Sequence, residues 1–318
     1  MSSTWENIIL SDNSSSEIWH AIIIHLLERA KIINSPLTLH AETVVPDRLL
    51  SETAWELWKT FTKDVKKTSD NLIEWTGNSS SSKAVLILDA LSLRELFVIK
   101  ETAAYRNINI TNLSITAAEC PSSTGEFAKA LGSPARSSLA NDGKSAAFKP
   151  FNSNCYTHVY NFPFEDCTVP VAKNIFIWHS WLDDLIHESS TPDALEKRVS
   201  ATLQNDGFWS FVNNLRQGRR LVITSDHGYA ISRNFSSNID DTRTTEILRK
   251  SFGAKRYAKI PDEPINTILP ITINNETNNH IVVIGQNKWK VPGGYPQICH
   301  GGMSLLESLV PWIEMEAS

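Results

Sequence analysis

The pattern of apolar and polar positions changes near residue 80. Before that point apolar residues recur at helical spacing. Residues 17–33 follow the cap-like run Ser14–Ser16, and residues 53–75 carry Trp55, Trp58, Phe61, Val65, Leu72 and Trp75 on the same period. Residues 1–80 are therefore predicted to form a helical N-terminal region. The polar run from Gly77 to Lys83 predicts an exposed loop and divides the chain into residues 1–80 and 81–318. Beyond it the rhythm becomes strand, loop, helix. Short apolar runs at 84–88, 174–178 and 220–224, with a strand-like stretch at 109–117, alternate with helical patterns near 92–105, 126–131 and 193–216. Continuous apolar runs suit strands buried on both faces. The alternation predicts an α/β fold, a mostly parallel central sheet flanked by helices, with right-handed crossovers. Residues 231–299 are less regular, with β-rich pieces at 267–273 and 280–284, and read as an insertion or edge hairpin. Residues 303–314 are predicted to close the chain as a helix that Pro311 kinks or ends.

Composition changes this picture little. The chain has 318 residues, 41% of them hydrophobic and 20% charged, ordinary values for a soluble globular protein. A net charge of −5 gives no global basic signature, so a nucleic-acid substrate would need a local positive groove or bound metals. Trp5, Glu6, Asp12 and Glu17 stand where a signal peptide would be basic, and no apolar stretch is long enough to span a bilayer. Four cysteines without a CxxC pair read as thiols in a reducing compartment. A cytoplasmic protein without membrane association is expected.

In an open α/β sheet, functional groups collect at the carboxyl ends of the strands. Asp89 ends the first apolar run, Asp183 and His187 lie just beyond 174–178, and Asp226-His227 closes 220–224. Singly, each also reads as a cap or turn residue. Asp183 and His187, four apart, share a face if their segment is helical. His300 precedes Gly301-Gly302, where backbone can approach a site closely. Thr124 stands before a helical pattern and reads either as its N-cap or as a nucleophile at a helix start, where N–H groups favour phosphate. Together, oxygen and imidazole groups from separate strand ends are what two adjacent Zn²⁺ or Mn²⁺ ions need.

These pieces also fall in a recognisable order. They are Val85-Leu-Ile-Leu-Asp-Ala90, Pro121-Ser-Ser-Thr124, Leu182-Asp-Asp-Leu-Ile-His187, Thr224-Ser-Asp-His-Gly228, and His300-Gly-Gly-Met-Ser304 with Glu307 and Pro311. Over roughly residues 83–314 the chain resembles the PglZ domain, a branch of the alkaline phosphatase superfamily, with Ile186 in place of a usual glycine. The resemblance implies that Asp183, His187 and His300 hold one metal, and that Asp89, Asp226, His227 and the Thr124 hydroxyl hold the other. It implies two divalent ions, zinc with manganese as the alternative, and phosphoryl transfer to Thr124 followed by hydrolysis of the phospho-threonine. It further implies a metal-dependent phosphodiesterase or nuclease acting on oligonucleotide or nucleic-acid phosphodiesters in bacterial anti-phage defence, with other defence-system proteins as partners. Arg136, Lys144, Arg233, Lys250 and Lys255, between the motifs, are candidates for a phosphate track. Two alternatives stand beside this reading: a phosphomonoesterase for a small metabolite, and a non-catalytic scaffold subunit of a defence complex that docks through its Trp-rich N-terminal helices.

Overall fold

Six strands form the central sheet of the computed structural model, which describes residues 4–77, 81–189, 191–231, 238–239, 242–260, 272–275, 279–292 and 297–318. In chain order they are β1 (Lys83–Leu88), β2 (Ile110–Ala117), β3 (Tyr156–Tyr160), β4 (Ile175–His179), β5 (Arg220–Thr224) and the closing strand Leu309–Met315. Their spatial order is β2, closing strand, β5, β1, β4, β3. The strands β5, β1, β4 and β3 pair in parallel, and the closing strand runs antiparallel to both β5 and β2. The mostly parallel α/β architecture expected from the sequence is the one observed.

Burial on both faces explains the apolar runs. Ala84, Leu86 and Leu88 of β1 join Ile175, Ile177, Leu221 and Ile223 in one cluster, while Val85 and Ile87 join Phe176, Trp178 and Val222 in another. The first face is covered by helices Ser15–Ile32, Leu96–Tyr105, Pro192–Gln204 and Asp206–Arg216, which contribute Trp19, Leu26, Ile99, Leu195 and Trp209. The second is covered by Leu72 of helix Thr68–Gly77, Phe127 of helix Thr124–Ala130, and Phe148 and Phe151.

Residues 4–77 are mainly helical, and most of their buried apolar side chains run into the first of these clusters. Helix Ser15–Ile32 starts with a capping box: Ser14 Oγ accepts the Glu17 N–H, and the Glu17 carboxylate accepts the Ser14 N–H at 2.9 Å. Trp19, Trp58 and Phe61 meet with ring centroids 4.9–5.3 Å apart. The helical pattern over 53–75 is divided in the structure into Leu57–Asp64 and Thr68–Gly77. The break arises because the Lys66 carbonyl accepts the Ala117 N–H at 2.9 Å and Thr68 Oγ1 meets Thr116 Oγ1 at 2.7 Å, drawing this segment onto the end of β2. The pattern over 193–216 likewise splits, with Asn205 capping the second helix.

The expected helix over 303–314 is corrected. Only Leu305–Ser308 is helical, and Leu309–Met315 is a strand buried at every position. An unbroken apolar run suits either element, and here two strand partners decide. Pro311 is accommodated because its carbonyl, and so its nitrogen, faces the β5 side. There the carbonyl accepts the Thr224 hydroxyl at 2.8 Å, and ladder pairing with β5 involves Ile313–Met315 only.

The stretch at 280–284 appears as His280–Val283, the centre of a small antiparallel sheet with Tyr257–Lys259 and Thr272–Asn275. Residues 267–271 of the expected strand, and 78–80 of the expected loop, lie outside the described residues. Among the described residues, no helix is long and apolar enough to cross a membrane.

Candidate active site

Strands β5, β1 and β4 lie side by side and point the same way, so the segments leaving their carboxyl ends meet at one edge. Asp89 leaves β1, Asp226 and His227 leave β5, and helix Trp181–Glu188, carrying Asp183 and His187, follows β4. Thr124 begins helix Thr124–Ala130, but the cap is Ser123, whose hydroxyl accepts the Glu126 N–H. The Thr124 hydroxyl is thereby left to the site. It donates to Asp226 Oδ2 at 2.9 Å and lies 3.3 Å from both Asp89 Oδ1 and His227 Nε2.

Each ligand-type group is held from behind. Asp89, fully buried, accepts the Trp178 indole N–H at 3.0 Å and an N–H of Arg136 on the same oxygen. Asp226 Oδ1 accepts the Ala90 N–H at 3.1 Å. His227 Nδ1 lies 2.9 Å from the Gly228 carbonyl, which only accepts, so Nδ1 carries the proton and Nε2 faces the carboxylates. The rings of His227 and His300 stack at 4.3 Å with 9° between planes. Asp183 Oδ1 is 3.6 Å from His300 Nε2 and 3.5 Å from His187 Nε2.

Thus the structure brings all seven predicted residues into one contiguous set. Two compact trios have ligand atoms within 4.8 Å of one another: Asp89, Asp226 and His227, and Asp183, His227 and His300. His227 belongs to both. His187 stands further out, with its side chain 65% exposed.

The electrostatics fit a cation. Burial, and then the neighbouring Asp89, push Asp226 up to about 7 and raise Asp183 as well. Burial pulls His227 down, but Asp226 and Asp89 outweigh it and hold the ring above its ordinary value. Burial, followed by His227 and His187, holds His300 well below. Asp183 Oδ1 and His300 Nδ1 are buried without a hydrogen-bond partner. Crowded carboxylates with an orphaned acceptor between two imidazoles form a donor set that a divalent ion would satisfy.

Of the basic residues proposed for a phosphate track, Arg136 reaches the site through Asp89. Lys144 pairs with Asp142, Lys250 is exposed on helix Thr242–Phe252, and Lys255 sits 5.9 Å from the Tyr257 ring. Arg233 lies outside the described residues. Sequence reasoning missed Trp178 as a partner of Asp89, because its position beside β1 exists only once the strand order is known. It also missed Ser122, whose hydroxyl donates to the Gly302 carbonyl at 2.7 Å and accepts the Gly301 N–H at 3.1 Å, fixing the His300 loop.

A mostly parallel sheet thus gathers Asp and His groups at its carboxyl edge around a hydroxyl at a helix start, and the family that the chain matches gives this arrangement its class, an alkaline phosphatase-like, phosphoesterase-like fold. The family model for the BREX system PglZ alkaline phosphatase-like domain matches residues 156–315, half of the chain, and the chain belongs to this PglZ family. The matched span holds Asp183, His187, Asp226, His227 and His300, while Asp89 and Thr124 precede it. No curated protein matches the chain. Similar solved structures include phosphonoacetate hydrolase from Sinorhizobium meliloti 1021 in complex with phosphonoformate, at 13% identity and a TM-score of 0.43, covering 75% of this chain and 90% of that one. Murine ectonucleotide pyrophosphatase/phosphodiesterase 5 is another, at 14% identity and a TM-score of 0.48, covering 74% of this chain and 88% of that one.

Proposed function

We propose that this protein hydrolyses phosphodiesters, of the oligonucleotide or nucleic-acid class, with Thr124 as nucleophile. The observation that carries this reading is the Thr124 hydroxyl, which sits within 3.3 Å of Asp89, Asp226 and His227 rather than capping its helix. Asp89, Asp226 and His227 would hold one divalent ion, and Asp183, His300 and His187 the other, zinc or manganese by the nature of the donors. Bound there, the ions supply positive charge that favours the Thr124 alkoxide and neutralises the phosphate. Asp226 aims the hydroxyl by accepting its hydrogen bond. Trp178 and Ala90 fix the two carboxylates that flank it. Arg136, partly exposed beside Asp89, is the cation placed to meet phosphoryl oxygens. Attack by the Thr124 oxygen on phosphorus breaks the bond to the leaving oxygen. Water then cleaves the resulting phospho-threonine and restores the hydroxyl.

The family description names the BREX system, and this supports a role in bacterial anti-phage defence beside other proteins of such a system. The test is metal analysis of the purified chain with parallel assays on monoester and diester substrates. Two equivalents of metal and preferential diester cleavage are expected. Preference for monoesters would favour a small-metabolite phosphatase, and a metal-free, inert protein would favour a scaffold.

A further inference from the structure

We infer that Glu307 and Arg256 are positioning residues that lock the two histidine-bearing turns to each other, setting the spacing of the two cation sites. The inference rests on the two-metal reading above.

Glu307 lies in the short helix Leu305–Ser308 and is fully buried. Its carboxylate accepts the Gly302 N–H at 2.7 Å, the Ser304 hydroxyl at 3.1 Å, and Arg256 Nε and Nη2 at 3.2 and 3.3 Å. Its backbone carbonyl accepts the Gly228 N–H at 2.9 Å. One residue therefore grips both the turn after His227 and the turn after His300. Those are the two histidines whose rings stack in the site.

Arg256 comes from the irregular region before the closing segment, and its remaining N–H groups go to the Asn287 and Gly285 carbonyls. Its guanidinium thus ties two segments together, the turn at residues 285–287 and the helix that carries Glu307. The glycines show how closely these parts press together. A Cβ on Gly228 would lie 2.2 Å from the Leu306 carbonyl oxygen, and one on Gly302 would lie 2.6 Å from Arg256 Nε and 2.7 Å from the Val283 carbonyl oxygen. With backbone against backbone, a displacement of Glu307 passes directly to His227 and His300.

A fully buried ion pair adds little net stability over an apolar pair of the same shape, because both charges lose their water. Its worth here is directional, since the bidentate fork fixes Glu307, which in turn fixes two N–H groups. Sites that share one phosphate must be held about 4 Å apart, and outer partners of metal ligands commonly control affinity.

The test is cobalt(II) titration of the full chain, followed by visible absorption and calorimetry, on wild type, Glu307→Gln, Arg256→Lys and Leu203→Ala. Leu203, buried in helix Pro192–Gln204, serves as a purely destabilising control. Wild type should bind two ions. Glu307→Gln keeps the main-chain bond to Gly228 and disturbs only the carboxylate's grip on Gly302. It should therefore weaken the site containing His300 by about 10–100-fold and alter its visible band, leaving the other site within about threefold. Arg256→Lys, which keeps the charge but not the fork, should show a smaller loss at the same site. Leu203→Ala should lower Tm while leaving both affinities unchanged. Two wild-type affinities in Glu307→Gln would overturn the inference alone, as would a loss at both sites that Leu203→Ala reproduces at equal Tm. A wild-type chain that binds no cobalt would overturn both the inference and the two-metal reading.

Discussion

The Thr124 hydroxyl donates to Asp226 Oδ2 at 2.9 Å, across 102 residues of sequence, although Thr124 heads a helix whose cap is the preceding serine. Had Thr124 been the cap, its oxygen would have turned back to its own helix N–H groups. Ser123 takes that task, and the site gains a hydroxyl among ligand-type side chains.

Thr124→Ala should therefore lower diester hydrolysis by about a thousandfold or more while metal stays bound, since the attacking oxygen is lost and the stronger ligands remain. Thr124→Ser should keep part of the activity. Ser123→Ala should cost about 1 kcal/mol of stability without loss of metal. Kinetics paired with metal analysis check all three, and a wild-type rate in metal-loaded Thr124→Ala would place the nucleophile elsewhere.

His227 belongs to both trios and is buried, whereas His187 is the outermost of the seven. His227→Ala should abolish binding at the site it forms with Asp89 and Asp226 and also weaken the adjoining site of Asp183, His300 and His187, whereas His187→Ala should weaken only the latter. Calorimetric titration distinguishes them, and equal effects of the two variants would contradict the shared role of His227.

Gly228→Ala should destabilise the fold by about 3 kcal/mol or more, because its Cβ would sit 2.2 Å from the Leu306 carbonyl and neither backbone can yield. Gly125→Ala, with nothing within 4 Å of the added carbon, should be neutral or stabilising by about 0.5–1 kcal/mol. Urea unfolding of the two variants gives the comparison.

Burial, and then the Arg94 guanidinium, holds His40 down to about 3. Arg94 Nη2 can only donate, so His40 Nδ1, 3.4 Å away, must accept and stay unprotonated. The unfolded chain takes up this proton below about 6.5 and the folded chain does not. The stability contribution is thus full above that pH and lost as pH falls toward 3. At pH 5 the loss is about 2 kcal/mol. His40→Asn, whose amide oxygen can take the Arg94 N–H, should lose correspondingly less stability between pH 7.5 and 5 in denaturant titrations. Identical slopes for the two proteins would refute the assignment.

Several parts of the site are legible in the sequence alone. Asp89 and Asp226-His227 end short apolar runs, and such runs become strands because both of their faces are buried. Asp183 and His187 share a face because they stand four apart on a helix. Arg136 was legible only as a basic residue between motifs. Its contact with Asp89 depends on where the segment Arg136–Asp142 packs.

By itself, then, the sequence determined the alternation of elements, the parallel part of the sheet and the residue types gathered at its carboxyl edge, because periodicity and strand-end chemistry are local properties. The tertiary structure decided what local pattern leaves open. Residues 309–315 became a strand because β2 and β5 offer a place on either side, although their apolar run suits a helix equally well. The grip of Glu307 on Gly228 and Gly302 spans three distant segments, and only the packed chain brings its buried carboxylate, the Arg256 fork and the two histidine turns within hydrogen-bonding distance.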